Sequence, residues 1–256
     1  MSIYQHFRQE EKEFIDQVLD WKNDVEFQYA PKLTGFLDPR EQFIVQSVAG
    51  SACNVRFFSG MKKGGERARA ILYPDYYEPS EVDFEICLFE IQYPAKFVTL
   101  SHPEVLGSLT GLGLKRNKFG DILIKDHRIQ FFAAKEISDF IKTHLQFVGR
   151  TKVSVEEKNL DECIQTEENL DQIVTTVSSL RLDVVLSGAG RSSRQKVQTL
   201  IRQGFVKVNW KVVETPSYML EEGDLLSARG IGRIRLLSVG ERTKKGKWRI
   251  TLGKYK

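Results

Sequence analysis

Leu180-Arg181-Leu182-Asp183, followed by Ser193-Arg194, Leu200-Ile201, Gly204, Val206-Lys207-Val208-Asn209 and Gly223-Asp224, is the stretch on which the fold turns. Gly188 and Gly190 break the chain before Ser192 and Ser193, and either serine can cap a helix by accepting a backbone N–H. Val197, Leu200 and Ile201 recur at helical spacing on one face, and Arg194, Gln198 and Arg202 are spaced by four on another. The helix is therefore expected to bury one stripe and offer a basic and amide stripe outward. Its N-terminal N–H groups suit a phosphate. Gly204 is placed to end it. Val206-Lys207-Val208-Asn209 then alternates like a half-buried strand, with Lys207 and Asn209 opposite the valines.

The order and spacing of these residues resemble the small RNA-binding domain named after the bacterial ribosomal protein S-four, also called the alpha-L motif. Within this module the expected RNA-binding side chains are Arg181, Arg191, Ser193, Arg194, Lys196, Gln198, Arg202, Lys207, Asn209 and Lys211. One departure is the turn, where many such domains have Asn-Gly and this chain has Asn209-Trp210. Tryptophan enters a type I′ turn at greater cost. Trp210 is expected either to cover the core, the favoured alternative, or to sit in another turn as a stacking surface. A fragment of residues 178–256 is expected to keep most of the RNA affinity.

Charge is distributed to match. Residues 180–256 hold 17 Lys and Arg against 6 Asp and Glu, a net of +11. Residues 151–179 hold 2 against 7, and residues 1–150 hold 19 against 21. The formal +4 of the whole chain thus hides a strongly basic C-terminal module, the footprint of a polyanion binder. Beyond Gly223-Asp224, Arg229-Gly230-Ile231-Gly232-Arg233 forms a glycine-spaced basic loop that lets backbone approach phosphate, and Arg229 and Arg233 join the candidate set.

Other classes are set aside on composition. No apolar run reaches the ~18 residues that span a bilayer. The polar start from Met1 to Glu10 is not a secretory signal. Cys53, Cys87 and Cys163 form no CxxC and read as reduced thiols of a cytoplasmic protein. The four histidines are scattered, with no metal-ligand spacing, so neither metal nor cofactor is expected.

The expected fold class is α+β, in four parts. Residues 1–80 read as mainly helical, with Asp38-Pro39-Arg40-Glu41 as a helix start. Gly60 to Arg69 looks like a phosphate loop but lacks the Lys-Ser/Thr pair after its second glycine, leaving a basic loop that is either solvated or touches nucleic acid. Residues 81–156 read as strand–helix–strand–strand–helix–strand, the ferredoxin-like plan shared by RNA-recognition motifs. Asp126-His127 falls at the central hairpin, and Phe131 and Phe132 are read as core rather than as stacking surfaces. Lys115, Arg116 and Lys118 form a second candidate phosphate contact. Residues 157–179 read as an acidic linker, and 180–256 as the alpha-L module.

The chain as a whole resembles the YlmH-type bacterial RNA-binding proteins. The residues that carry this are Leu33 to Glu41, Gly64 to Arg69 with Pro74, and His102 through Asp121 with Leu106-Gly107 and Gly111 to Arg116. The resemblance implies association with the large ribosomal subunit and a part in the rescue of stalled ribosomes; the expected partners are structured rRNA and tRNA, and the protein is expected to be a cytoplasmic monomer. The rival is an RNA-modifying enzyme. Pseudouridine synthases carry their catalytic aspartate in Arg-Leu-Asp-x-x-Thr-Ser-Gly, and Arg181 to Gly188 comes close. Leu186 stands in place of the threonine, however, and only 73 residues follow Asp183. Asp183 is expected to orient Arg181 through a charge-assisted hydrogen bond. The methyltransferase alternative lacks a glycine-rich loop after a strand.

Overall fold

The computed structural model describes residues 7, 11–50, 53–62, 65–165, 170–190 and 192–255. They divide into two units, Met1–Thr166 and Glu167–Lys256.

The first unit begins with α1 (Lys12–Gln28), β1 (Lys32–Leu37), α2 (Pro39–Ala49), β2 (Asn54–Phe58) and β3 (Ala68–Tyr73). At the start of α2 the Asp38 carboxylate accepts from the Arg40 and Glu41 N–H groups, and Glu41 reaches back to the Asp38 N–H. That reciprocal cap satisfies donors the helix would otherwise leave open. Ile15 and Val18 of α1 and Ile44, Val45 and Val48 of α2 pack with Leu37, Ala70 and Leu72. The helical reading of residues 1–80 holds for α1 and α2, and the structure adds strands to it, which form a three-stranded antiparallel sheet ordered β1-β3-β2. They are short, and Arg56 and Arg69 interrupt the apolar pattern of β2 and β3, so periodicity alone does not reveal them.

The rest of this unit follows the ferredoxin-like plan. Its elements are β4 (Ile86–Gln92), α3 (His102–Gly111), β5 (Phe119–Lys125), β6 (Arg128–Ala134), α4 (Ser138–His144), the short pair β7 (Phe147–Val148) and β8 (Thr151–Lys152), and β9 (Ser154–Lys158). The antiparallel sheet is ordered β5-β6-β4-β9. Between β5 and β6, Asp126 and His127 both take positive φ, 49° and 66°, as a two-residue hairpin turn needs. Ser101 and Glu104 cap α3 reciprocally.

Both faces of this sheet are covered. Phe89 and Phe131 stack at 5.4 Å on the face against which α4 brings Lys142, 5.9 Å from the Phe89 ring centroid. On the opposite face Phe132 packs against Gly60 and Gly120, where Phe36 of β1 also enters. A Cβ at Gly60 or Gly120 would come within 2.7 Å of these rings, and Gly60 additionally holds φ +86°. Beside them Gln130 is fully buried. Its amide donates to Glu90 at 2.8 Å and its Oε1 accepts from the Ile164 N–H at 2.8 Å, pinning the segment after β9 over the sheet. Phe131 and Phe132 are thus core residues, and the open face on which RNA-recognition motifs stack bases is filled by the chain itself.

The second unit comprises β10 (Leu170–Val177), α5 (Leu182–Gly190), α6 (Arg194–Arg202), β11 (Val206–Val208), β12 (Lys211–Val212), β13 (Leu225–Ala228), β14 (Gly232–Arg242) and β15 (Trp248–Tyr255). Its antiparallel sheet is ordered β10-β15-β14-β13-β11-β12. Leu182, Val185 and Leu186 of α5 and Val197 and Ile201 of α6 pack with Val206, Leu226, Ile234, Leu236, Ile250 and Leu252. The linker reading of 157–179 also needs correcting. Residues 154–158 are β9, Ile164 is buried in the first core, and Leu170–Val177 pairs along its whole length with Trp248–Tyr255.

Candidate nucleic-acid interface

The centre of the second unit's helical pair is Asp183, fully buried at the start of α5. Arg181 donates to it through Nε at 3.0 Å and Nη2 at 3.2 Å, Arg194 through Nε at 2.9 Å, and Gln198 through Nε2 at 2.6 Å. Burial is the largest influence on the carboxyl and raises its pKa, but the bonds from Arg181, Gln198 and Arg194 together outweigh it and hold the group at about 2. At neutral pH Asp183 is therefore an anion whose oxygens are occupied.

The expected outward stripe of α6 therefore divides. Arg194 and Gln198 turn toward Asp183, whereas Arg202 is exposed. The reason is helix geometry: eight residues carry Arg202 about 80° around the axis from Arg194, beyond reach of the same carboxylate. Arg194 is held rather than hidden, with 52% of its side chain still accessible. Ser193 caps α6, its hydroxyl accepting from the Lys196 N–H at 3.3 Å, so its role is local. Gly204, at φ +73°, closes the helix: its N–H bonds the Ile201 carbonyl and the Phe205 N–H bonds that of Leu200. Arg191 lies outside the described residues.

Lys196, Arg202, Lys207, Lys211 and Arg229 have exposed side chains. Asn209, expected at the interface, is a structural clamp. Its amide donates to Asp224 at 2.7 Å and its Oδ1 accepts from the Leu225 N–H at 2.9 Å. Those bonds steady a turn in which Asn209 and Trp210 both have positive φ, 48° and 64°. The core-cover reading of Trp210 is overturned: the residue stands in the tight turn, outside the hydrophobic cluster, with the Arg233 guanidinium 5.9 Å from its ring centroid. Arg233 also lies 5.1 Å from the ring of Tyr255. Phe205 is absent from the sequence candidates, yet it is 40% exposed, with its ring beneath the Arg229 guanidinium at 5.0 Å. Its place between the helix-ending glycine and a strand is the available signal.

The second candidate contact, in the first unit, is mostly spent on structure. Arg116 donates to the Phe119 and Gly120 carbonyls, and its burial, then the charge of Arg67, lowers its pKa to about 10. Lys118 pairs with Glu136. Only Lys115 of the three is exposed with no hydrogen bond or ion pair of its side chain described. The basic loop before β3 behaves likewise. Arg67 donates to the Phe36 carbonyl at 2.8 Å, and Arg69, 3% exposed, donates to the carbonyls of Thr34 at 2.8 Å and Glu85 at 3.0 Å. Asp121 accepts the N–H groups of Glu66 and Arg67 and so ties that loop to β5.

Among the described residues no group of histidine, cysteine and carboxylate side chains could hold a metal, and no helix is long and apolar enough to cross a membrane. A family model described as the putative RNA-binding domain in YlmH matches residues 79–162, and one described as the S4 domain matches residues 180–226. The chain is 48% identical over 255 residues to the ribosome-associated protein quality control protein P2 of Bacillus subtilis (strain 168), covering 100% of this chain and 99% of that protein. It is 31% identical over 90 residues to the small ribosomal subunit protein uS4 of Aquifex aeolicus (strain VF5), 34% of this chain and 43% of that protein. A solved structure described as the cell division protein ylmH from Streptococcus pneumoniae superposes with a TM-score of 0.55 at 37% identity, covering 64% of this chain and all of the other. With its helix pair, filled central sheet and basic C-terminal sheet matched end to end by such a relative, the chain belongs to the YlmH family of the ribosome-associated protein quality control protein P2.

Proposed function

We propose that the protein holds structured rRNA and tRNA on the large ribosomal subunit during the rescue of stalled ribosomes, as a cytoplasmic monomer that binds without catalysing. The observation that carries this reading is the arrangement of the C-terminal unit: a rigid helix pair and sheet surrounded by the exposed cations Lys196, Arg202, Lys207, Lys211 and Arg229. The name of the Bacillus subtilis relative, a ribosome-associated protein quality control protein, supports the ribosomal part. Arg194, oriented by Asp183, and Arg233, beside Trp210, join the surface, and Lys115 offers a separate contact for RNA in the first unit. The burial and full hydrogen bonding of Asp183 favour holding over the chemistry of a synthase aspartate.

Sedimentation of extracts tests this. At low salt the protein co-migrates with large ribosomal subunits and high salt releases it. Five phosphate contacts give a slope of about −3 to −5 in log affinity against log salt. Failure to co-sediment at any salt sinks the ribosomal part. Appearance of pseudouridine or methylated bases in RNA incubated with the purified protein sinks the non-enzymatic part.

A further inference from the structure

Val206 and Val208 face the core of the second unit, which turns Lys207 to the outer face of β11. Across the sheet Lys207 is paired with Ser227 of β13, and Ser227 with Arg233 of β14. A small side chain thus lies between two cations in one cross-strand row. Beside the row is a cleft of about 340 Å³, lined also by Gly204, Phe205 and Arg229. That volume is at the lower end of the ~300–1,000 Å³ of small-molecule sites. The Arg229 N–H bonds the Phe205 carbonyl at 3.1 Å, so the exposed ring and the guanidinium above it are fixed as neighbours.

We propose that this cleft takes one unstacked nucleotide of a structured RNA, its base stacked on the Phe205–Arg229 platform and its phosphate between Lys207 and Arg233. The inference rests on the RNA-binding reading above and adds a base-level preference to it. Duplex phosphates would need only the cations. An exposed aromatic ring fixed to a planar guanidinium is the surface on which a splayed base stacks, and every base has a face to stack. Because the stack reads the face that every base shares, the site discriminates unpaired from paired nucleotides rather than one base from another.

The test uses the full chain and two fluorescent RNA hairpins, identical except that one carries a single bulged adenosine. Affinities are read by anisotropy. The wild type is expected to bind the bulged hairpin about tenfold more tightly, the scale of one base–aromatic stack. Phe205→Leu, and independently Ser227→Leu, which fills the cleft from the neighbouring strand, should each erase that preference while leaving affinity for the fully paired hairpin within about twofold. Phe205→Trp should retain it. Thermal melting verifies that each variant is folded; with one variant before β11 and the other on β13, one folded variant suffices. Equal binding of both hairpins by the wild type overturns the nucleotide cleft and leaves the RNA-binding reading standing. So does a preference that survives both leucine substitutions. Binding to neither hairpin overturns both.

Discussion

The two units use basic residues in opposite ways. In the first unit, Arg67, Arg69 and Arg116 point their guanidinium groups at backbone carbonyls, and Lys118 finds Glu136. In the second, Lys196, Arg202, Lys207, Lys211 and Arg229 face solvent around an apolar core. Local charge balance explains part of this. Residues 1–150 carry 21 acidic against 19 basic side chains, and Lys32, Arg40, Arg67, Arg69, Lys118 and Arg128 each have a carboxylate within 4.0 Å, whereas residues 180–256 have only 6 acidic groups for 17 basic ones. Among the described residues of the second unit the one fully buried carboxylate, Asp183, already serves three donor side chains. A glycine-flanked basic loop is thus ambiguous by itself. The supply of acceptors around it decides whether it builds the fold or faces a polyanion.

The sharpest way to break this contrast is to remove a cation from each side. Arg69→Ala leaves two carbonyls without their donor in a buried site, and should cost about 3–5 kcal/mol of folding stability by analogy with other buried charged groups. RNA affinity of the protein that remains folded should not change. Denaturant melts and binding titrations of the same sample decide it, and a loss of affinity with intact stability would reverse the assignment. The double variant Lys196→Ala/Arg202→Ala should do the opposite. RNA binding at ~0.1 M salt should fall roughly tenfold to a hundredfold and the salt slope shrink by about 2, with little change in melting temperature.

Asp183 sharpens the comparison through pH. Its pKa falls from 3.8 to about 2 on folding, so the stability it contributes is present above pH 4 and is lost as the pH drops through 2. The loss should be about 2 kcal/mol, on the scale of 1.36 kcal/mol per unit. Asp183→Asn, lacking this titration, should be less stable than wild type at pH 6, and the gap should narrow between pH 4 and 2. A gap that stays constant would show that the carboxylate charge contributes nothing. The smallest effect belongs to Lys118→Met: its pair with Glu136 is about one-third exposed, so the change should cost under about 1 kcal/mol and leave RNA affinity unaltered.

Much of this is legible in the chain. Helix caps at Asp38 and Ser193, the order of the central strands, the core placement of Phe131 and Phe132, and the α6 apolar stripe all follow from short-range patterns. The destinations of Arg67, Arg69 and Arg116 do not. Arg69 reaches a carbonyl 35 positions away, and a contact across that distance leaves no local signature. Trp210 defeats a local reading because turn statistics disfavour it, while the bonds of Asn209 to Asp224 and Leu225 that steady the turn come from 15 and 16 residues downstream. Phe205 escapes for a related reason: its significance depends on Arg229, which the sheet brings beside it.

The strand Leu170–Val177 has a practical consequence for anyone dissecting the molecule. A fragment cut at residue 178, the boundary the sequence suggests, would strip β15 of its outer neighbour β10 across all eight paired positions, leaving only β14 beside it. The backbone groups of Trp248–Tyr255 that bond to β10 would then be an adhesive margin, ready to recruit the same strand from another copy. Self-association of such a fragment would masquerade as cooperative RNA binding. A fragment that retains Leu170–Val177 carries its own selvage, with Asp171 and Gln172 among the side chains along the finished border.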